Sequence, residues 1–292
     1  MSQLRAWLEK GPLLTDGAWG TQFILKGLEP GACPDIWNLT NPAAVLEVAR
    51  SYVEAGSQAI LTNTFRANPV SLGKEWKARA AEINAAGVRI SRQAAAGRAL
   101  VFASMGPTGK MVMAGEISER DVEQACEVQA QALAAAGADA LLIETQSDLG
   151  EAEIILRVAR TTGLPVIVSF TFDMGKAHDR TMTGETPERI AQRMEQAGAD
   201  AIGANCGSGM EHFVALCGRL RKACQLPLWI KPNAGLPVME NGALHYRQSP
   251  QEFAAGGPAL VEAGASFVGG CCGTRPAFIA ALKERLNSCA CG

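Results

Sequence analysis

Four times along the chain a helix-like stretch passes through an Ala-Gly joint into a short unbroken run of apolar residues. These stretches are residues 54–61, 135–142, 196–203 and 262–269. A glycine just past the last helical residue lets the backbone go left-handed and end the helix. The unbroken run after it suits a strand buried on both faces, because a strand with one wet face would alternate polar and apolar residues. Each phrase therefore predicts a helix-to-parallel-strand joint. The four glycines stand at 56, 137, 198 and 264, so the intervals between them are 81, 61 and 66 residues, each long enough for two βα units.

Four further apolar runs, residues 12–15, 100–104, 165–171 and 227–231, supply the missing strands. Helix starts keep the same frame. Asn41-Pro42, Thr186-Pro187 and Ser249-Pro250 each place a capping side chain before a first-turn proline, and Ser249 with Glu252 forms a capping box. The last helix, from about Pro276, carries Phe278, Ile279, Leu282 and Leu286 on one stripe. Eight parallel strands alternating with helices predict a single (β/α)8 TIM barrel, its active site at the C-terminal ends of the strands. No linker rich in Pro, Ser or charge divides the chain, so residues 1–292 are expected to form one domain, with 288–292 a flexible tail.

Composition alone does not choose this architecture, since 292 residues with 48% hydrophobic content fit two small domains as well as one barrel. The formal charge of −2 leaves no electrostatic footprint for nucleic acid or an anionic membrane. No apolar run approaches the roughly 18 residues of a membrane span, and residues 1–7 lack the apolar core of a signal peptide. A soluble, cytoplasmic protein is expected. Nine cysteines, an odd number in a long chain, fit reduced thiols better than a disulfide scaffold. Cys33, Cys126, Cys217 and Cys224 stand singly and read as small core hydrophobes. Cys289 and Cys291 lie in the terminal Cys-Ala-Cys-Gly, read as a frayed end rather than a metal-binding flap.

The chemistry gathers at the predicted strand ends. Gly269-Gly270-Cys271-Cys272-Gly273-Thr274 closes the eighth strand, and its adjacent thiols can converge only if the backbone turns, because neighbouring side chains in a strand point to opposite faces. Its glycines permit such a turn. Asn205-Cys206-Gly207 closes the sixth strand on the same rim. Three thiolates suit Zn2+ better than a hard cation and leave a tetrahedral ion one open position, as catalytic zinc sites do. The competing reading, buried small residues in a tight turn, suits any one of these cysteines better than all three. His178, His212 and His245 share no motif, and Gly106-Pro107-Thr108-Gly109-Lys110 lacks the spacing of a phosphate loop.

Asp16-Gly17-Ala18-Trp19-Gly20-Thr21, Thr62-Asn63-Thr64-Phe65, Gly106-Pro107-Thr108-Gly109, Glu144-Thr145, Thr183-Gly184, Asn205-Cys206, Pro232-Asn233-Ala234-Gly235 and Gly269–Thr274 occur in this order along nearly the whole chain. In these motifs the sequence resembles the homocysteine S-methyltransferases, most closely the homocysteine-binding domain of cobalamin-dependent methionine synthases. The resemblance implies a barrel in which Cys206, Cys271 and Cys272 hold zinc. Homocysteine would bind there as a zinc thiolate and be methylated to methionine. It also implies that Asp16 and Glu144 bind the ammonium of homocysteine, that backbone amides near Gly17 face its carboxylate, and that Asn233 approaches zinc when substrate is absent. Asn63 and Thr64 either line the pocket or close their strand end.

The methyl donor stays open. Several motifs match the cobalamin-linked branch, yet the sequence leaves no residues beyond the barrel for a cobalamin domain. Methylcobalamin on a separate corrinoid protein, or a small onium compound, is therefore the expected donor. The rival readings are a methyltransferase for another thiol, and a non-catalytic module that binds zinc or a corrinoid protein.

Overall fold

The computed structural model describes residues 3–29, 31–240 and 243–290. Its strands are β1 Leu13–Leu14, β2 Ala59–Leu61, β3 Leu100–Met105, β4 Ala140–Gln146, β5 Val166–Phe170, β6 Ala201–Asn205, β7 Leu228–Lys231, β8 Pro237–Glu240, β9 Ala243–Tyr246 and β10 Ala265–Val268. Eight of them form one parallel sheet in the order β1-β10-β7-β6-β5-β4-β3-β2. A parallel bridge from Thr15 to Ala59 joins the two outer strands, and Gln58 N donates to the Leu14 carbonyl at 2.7 Å beside it. The result is the expected (β/α)8 barrel, with a strand in each of the eight predicted places. The four phrase glycines have φ between 86° and 105°, the left-handed turn their position requires.

Inward-facing positions recur every second residue, and along several strands they change from apolar to polar toward the C-terminal end. Phe102 is followed by Ser104, Leu142 by Glu144, Ile167 by Ser169 and Trp229 by Lys231, all of them buried. The lower half is a packed core. Phe102, Trp229 and Phe267 meet with ring centroids 5.4 to 5.9 Å apart, each burial contributing about 2 kcal/mol. The helix Gln3–Trp7 plugs this end, with Leu4 fully buried and Trp7 5.5 Å from Phe102. Gly203 pairs with Trp229 across the ladder, where an added Cβ would lie 1.7 Å from the Trp229 carbonyl oxygen. Packing thus leaves polar side chains only the upper end.

The outer helices start as the sequence predicts in two of three cases. Thr186 accepts from Arg189 N, and Ser249 with Glu252 completes the capping box. Asn41 makes no side-chain cap; it also ends the preceding helix, Trp37–Thr40, and its φ of −146° and ψ of 56° lie off the extended geometry a cap needs. The antiparallel hairpin β8–β9 adds a feature absent from the predicted frame. The last helix is Pro276–Ala290; Cys291 and Gly292, the end of the expected tail, lie outside the described residues, as does the Cys289 side chain. Among the described residues no helix is long and apolar enough to cross a membrane.

Candidate active site

Two sharp turns bring the thiols together. After β6 the backbone goes left-handed at Cys206 (φ 63°) and again at Gly207 (φ 76°), and Cys206 N donates to the Lys231 carbonyl at 3.2 Å. After β10 the glycines act mainly by being small. A Cβ on Gly269 would lie 2.0 Å from Thr15 Oγ1, one on Gly270 would lie 2.5 Å from the Thr274 side chain, and only Gly273, at φ 81°, needs the left-handed region. Cys271 N donates to the Pro232 carbonyl at 2.7 Å and Ala234 N to the Cys272 carbonyl at 3.0 Å. These bonds pin the turn to the end of β7.

The sulfurs of Cys206, Cys271 and Cys272 all lie within 4.8 Å of one another, and Cys206 and Cys272 are 3.7 Å apart. Tetrahedral ligation at a Zn–S distance of about 2.3 Å places sulfurs about 3.8 Å apart, so the donor set and its spacing both fit zinc. Without a cation the cluster keeps its protons. For Cys206 the hydrogen bond with Cys271 lowers the pKa, but that with Cys272 and burial outweigh it and push the thiol up to about 12. Cys272 is likewise pushed up to about 12: its bond with Cys206 pulls downward, while the bond with and charge of Cys271 win. Cys271 is raised by its hydrogen bond with Cys206 and by burial.

Asn205 ties this cluster to its neighbours. Its Oδ1 accepts from Ser169 Oγ at 2.6 Å and from Thr145 N at 3.0 Å; its Nδ2 donates to Thr145 Oγ1 at 2.7 Å and to Cys271 Sγ at 3.8 Å. Thr145 is held at φ 59°, an outlier for a β-branched residue, by these bonds at the end of β4. Tyr246, on β9, packs its ring against Gly273, the residue after Cys272. The hairpin therefore reaches the sulfur cluster.

Beside the thiols lies a cavity of about 310 Å³ lined by Gly17, Trp19, Phe65, Glu144, Lys231 and all three cysteines, among others. Glu144 Oε1 accepts from Ser104 Oγ at 2.5 Å. Burial raises its pKa, against the pull of the Lys231 charge and that hydrogen bond. Asp16 is fully buried and does not line the cavity. Its Oδ1 accepts from Lys231 Nζ at 2.5 Å, and its Oδ2 from Trp19 Nε1 at 2.6 Å and Leu61 N at 2.8 Å. Asn233 is buried with its Oδ1 lacking a hydrogen-bond partner among the described residues. Asn63 lines the cavity, whereas Thr64 Oγ1 donates to the Ser104 carbonyl at 2.7 Å and serves the strand end. His178 and His212 pack on each other at 5.3 Å, and none of the three histidines lines the cavity.

Lys231 is the polar residue that motif reading passed over. It ends an apolar run, two positions beyond the inward-facing Trp229, so the strand period alone aims it into the barrel. Tyr246 has no such signal, since its place depends on the hairpin.

Comparison with known proteins agrees with this geometry. The family model described as homocysteine S-methyltransferase matches residues 13–286. A methionine synthase of Mycobacterium tuberculosis is 31% identical over 296 residues, covering 93% of this chain and 24% of that protein, so the chain spans about a quarter of its length. The homocysteine S-methyltransferase of Escherichia coli is 30% identical over 97% of this chain and 98% of its own length. Among solved structures, the metallated form of the E. coli homocysteine methyltransferase MmuM superposes with a TM-score of 0.79 at 27% identity, covering 97% of this chain and 99% of that one. The chain belongs to the homocysteine S-methyltransferase family.

Proposed function

We propose that the protein methylates homocysteine to methionine at a zinc centre held by Cys206, Cys271 and Cys272. The observation that carries this reading is three sulfurs within 4.8 Å of one another on the wall of a cavity that also presents a buried carboxylate, Glu144. When bound there, Zn2+ supplies a Lewis acid that keeps an incoming thiol deprotonated at neutral pH, where a free thiol of pKa about 8.5 is mostly protonated. The chain's residues do the rest. Glu144, on the cavity wall, holds the acceptor's ammonium, and backbone at Gly17 faces its carboxylate. Trp19 and Phe65 exclude water from the acceptor sulfur, which would otherwise be solvated and less reactive. Asn233, whose Oδ1 has no hydrogen-bond partner among the described residues, would be a further oxygen donor to the ion when no acceptor is present.

Transfer forms an S–CH3 bond as the donor's bond to that carbon breaks, the electron pair staying with the donor. A corrinoid carried on a separate protein or a small onium compound fits this demand. The free cysteines suit a reducing, cytoplasmic setting. The test is a donor screen with zinc-loaded protein and homocysteine, comparing methylcobalamin, S-methylmethionine, betaine and methyltetrahydrofolate by methionine formed. Methionine is expected from a corrinoid or onium donor, and none from any donor would overturn the reading.

A further inference from the structure

The acid end of the pocket already contains a cation of the chain's own. Lys231 and Asp16, 215 residues apart in sequence, form an ion pair at 2.5 Å with side chains 3% and 0% exposed. Lys231 Nζ also lies 5.5 Å from the Trp229 ring, which borders it from below. A carboxylate oxygen offers two lone pairs, so Asp16 Oδ2 is filled by Trp19 Nε1 and Leu61 N. Oδ1 is held by Lys231, and the residue has no exposed surface. A substrate ammonium could reach Asp16 only by displacing a buried lysine, which would leave that charge unpaired. Glu144 differs, since it lines the cavity itself.

We infer that Lys231 is a specificity-determining residue of the acceptor pocket: it keeps Asp16 for itself, so the acceptor's ammonium binds Glu144 alone. This rests on the reading of the cavity as the homocysteine site. The two carboxylates and one ammonium sum to −1, a match for a thiol carrying a single ammonium. Asp16 is then a positioning residue, acting on the substrate only by anchoring Lys231. The Lys231 main chain is anchored too, because its carbonyl accepts from Cys206 N.

The test compares calorimetric binding of L-homocysteine and of 4-mercaptobutanoate, which lacks the ammonium, to zinc-loaded protein. Wild type is expected to prefer homocysteine by about 10- to 100-fold, the range of one hydrogen bond between charged groups. Glu144→Gln abolishes that preference. Asp16→Asn weakens it, because the released Lys231 turns to Glu144, while the neutral pair Asp16→Asn with Lys231→Met restores it to within about threefold of wild type. A double variant that discriminates as poorly as Glu144→Gln, in a wild type that discriminates well, overturns the assignment alone. A wild type that binds neither thiol overturns the homocysteine reading and this assignment together. Should the variants fail to fold, a crystal structure of wild type with zinc and homocysteine decides: the Lys231–Asp16 pair stays intact, and an ammonium bonded to Asp16 overturns the inference.

Discussion

Cys206 occupies the left-handed region at φ 63°, which costs a non-glycine residue about 1–2 kcal/mol. That strain persists because Gly207 continues the turn and Cys206 N is tied to Lys231 O. The gain is a sulfur aimed at two others, and the consequence is measurable as metal affinity. Replacing Cys206, Cys271 or Cys272 by Ser leaves two sulfur ligands, so competitive chelator titration should show near-complete loss of zinc. Asn205→Ala, which removes the donor to Cys271 together with the ties to Thr145 and Ser169 while leaving all three sulfurs, should weaken zinc by about 10- to 100-fold, as losing the hydrogen-bond partner of a ligand usually does. Stoichiometric zinc retained by Cys206→Ser would contradict the three-sulfur site. The cysteines were legible in the sequence because their type, number and glycine setting are rare together. Lys231 was less so, because a single lysine at a strand end carries no motif and its meaning comes from the acid it meets.

At the scale of the element, local signals fared well where a residue answers to its own neighbours and poorly where it serves two masters. Thr186 caps a helix that has only one claim on it, and Thr186→Ala should lower stability by about 1 kcal/mol in urea titrations. Asn41→Ala should cost far less, since Asn41 closes one helix while opening the next and makes no cap bond. Equal losses in both variants would refute this distinction. Strand placement succeeded because runs buried on both faces have no polar alternation to blur them. The β8–β9 hairpin was passed over although Asn241-Gly242 is a hairpin turn signal in the sequence. Its short strands lie outside the barrel ladder and outside the βα repeat.

For the molecule as a whole, the barrel separates a dry, aromatic lower half from an upper half where charge is buried and paired. Glu151 shows what such burial costs outside the pocket: its Oε1 accepts from Thr108 N at 2.7 Å and Thr108 Oγ1 at 2.6 Å, yet burial raises its pKa above the ordinary 4.5. A carboxyl raised in the folded state favours the folded protein fully below the unfolded value, and that advantage is lost as pH rises through the folded one. Urea midpoints of wild type relative to Glu151→Gln should therefore fall as pH rises above 4.5; a rise would reverse the sign. The sequence by itself determined the repeat of eight βα units, the strand ends and the three cysteines, because periodicity and capping act between residues a few positions apart. Only the tertiary structure decided that Asp16 is occupied by Lys231, that Tyr246 reaches Gly273 and that Gly269 and Gly270 are required for space. Those facts depend on which side chains barrel closure brings together from opposite ends of the chain, and local pattern carries no record of them.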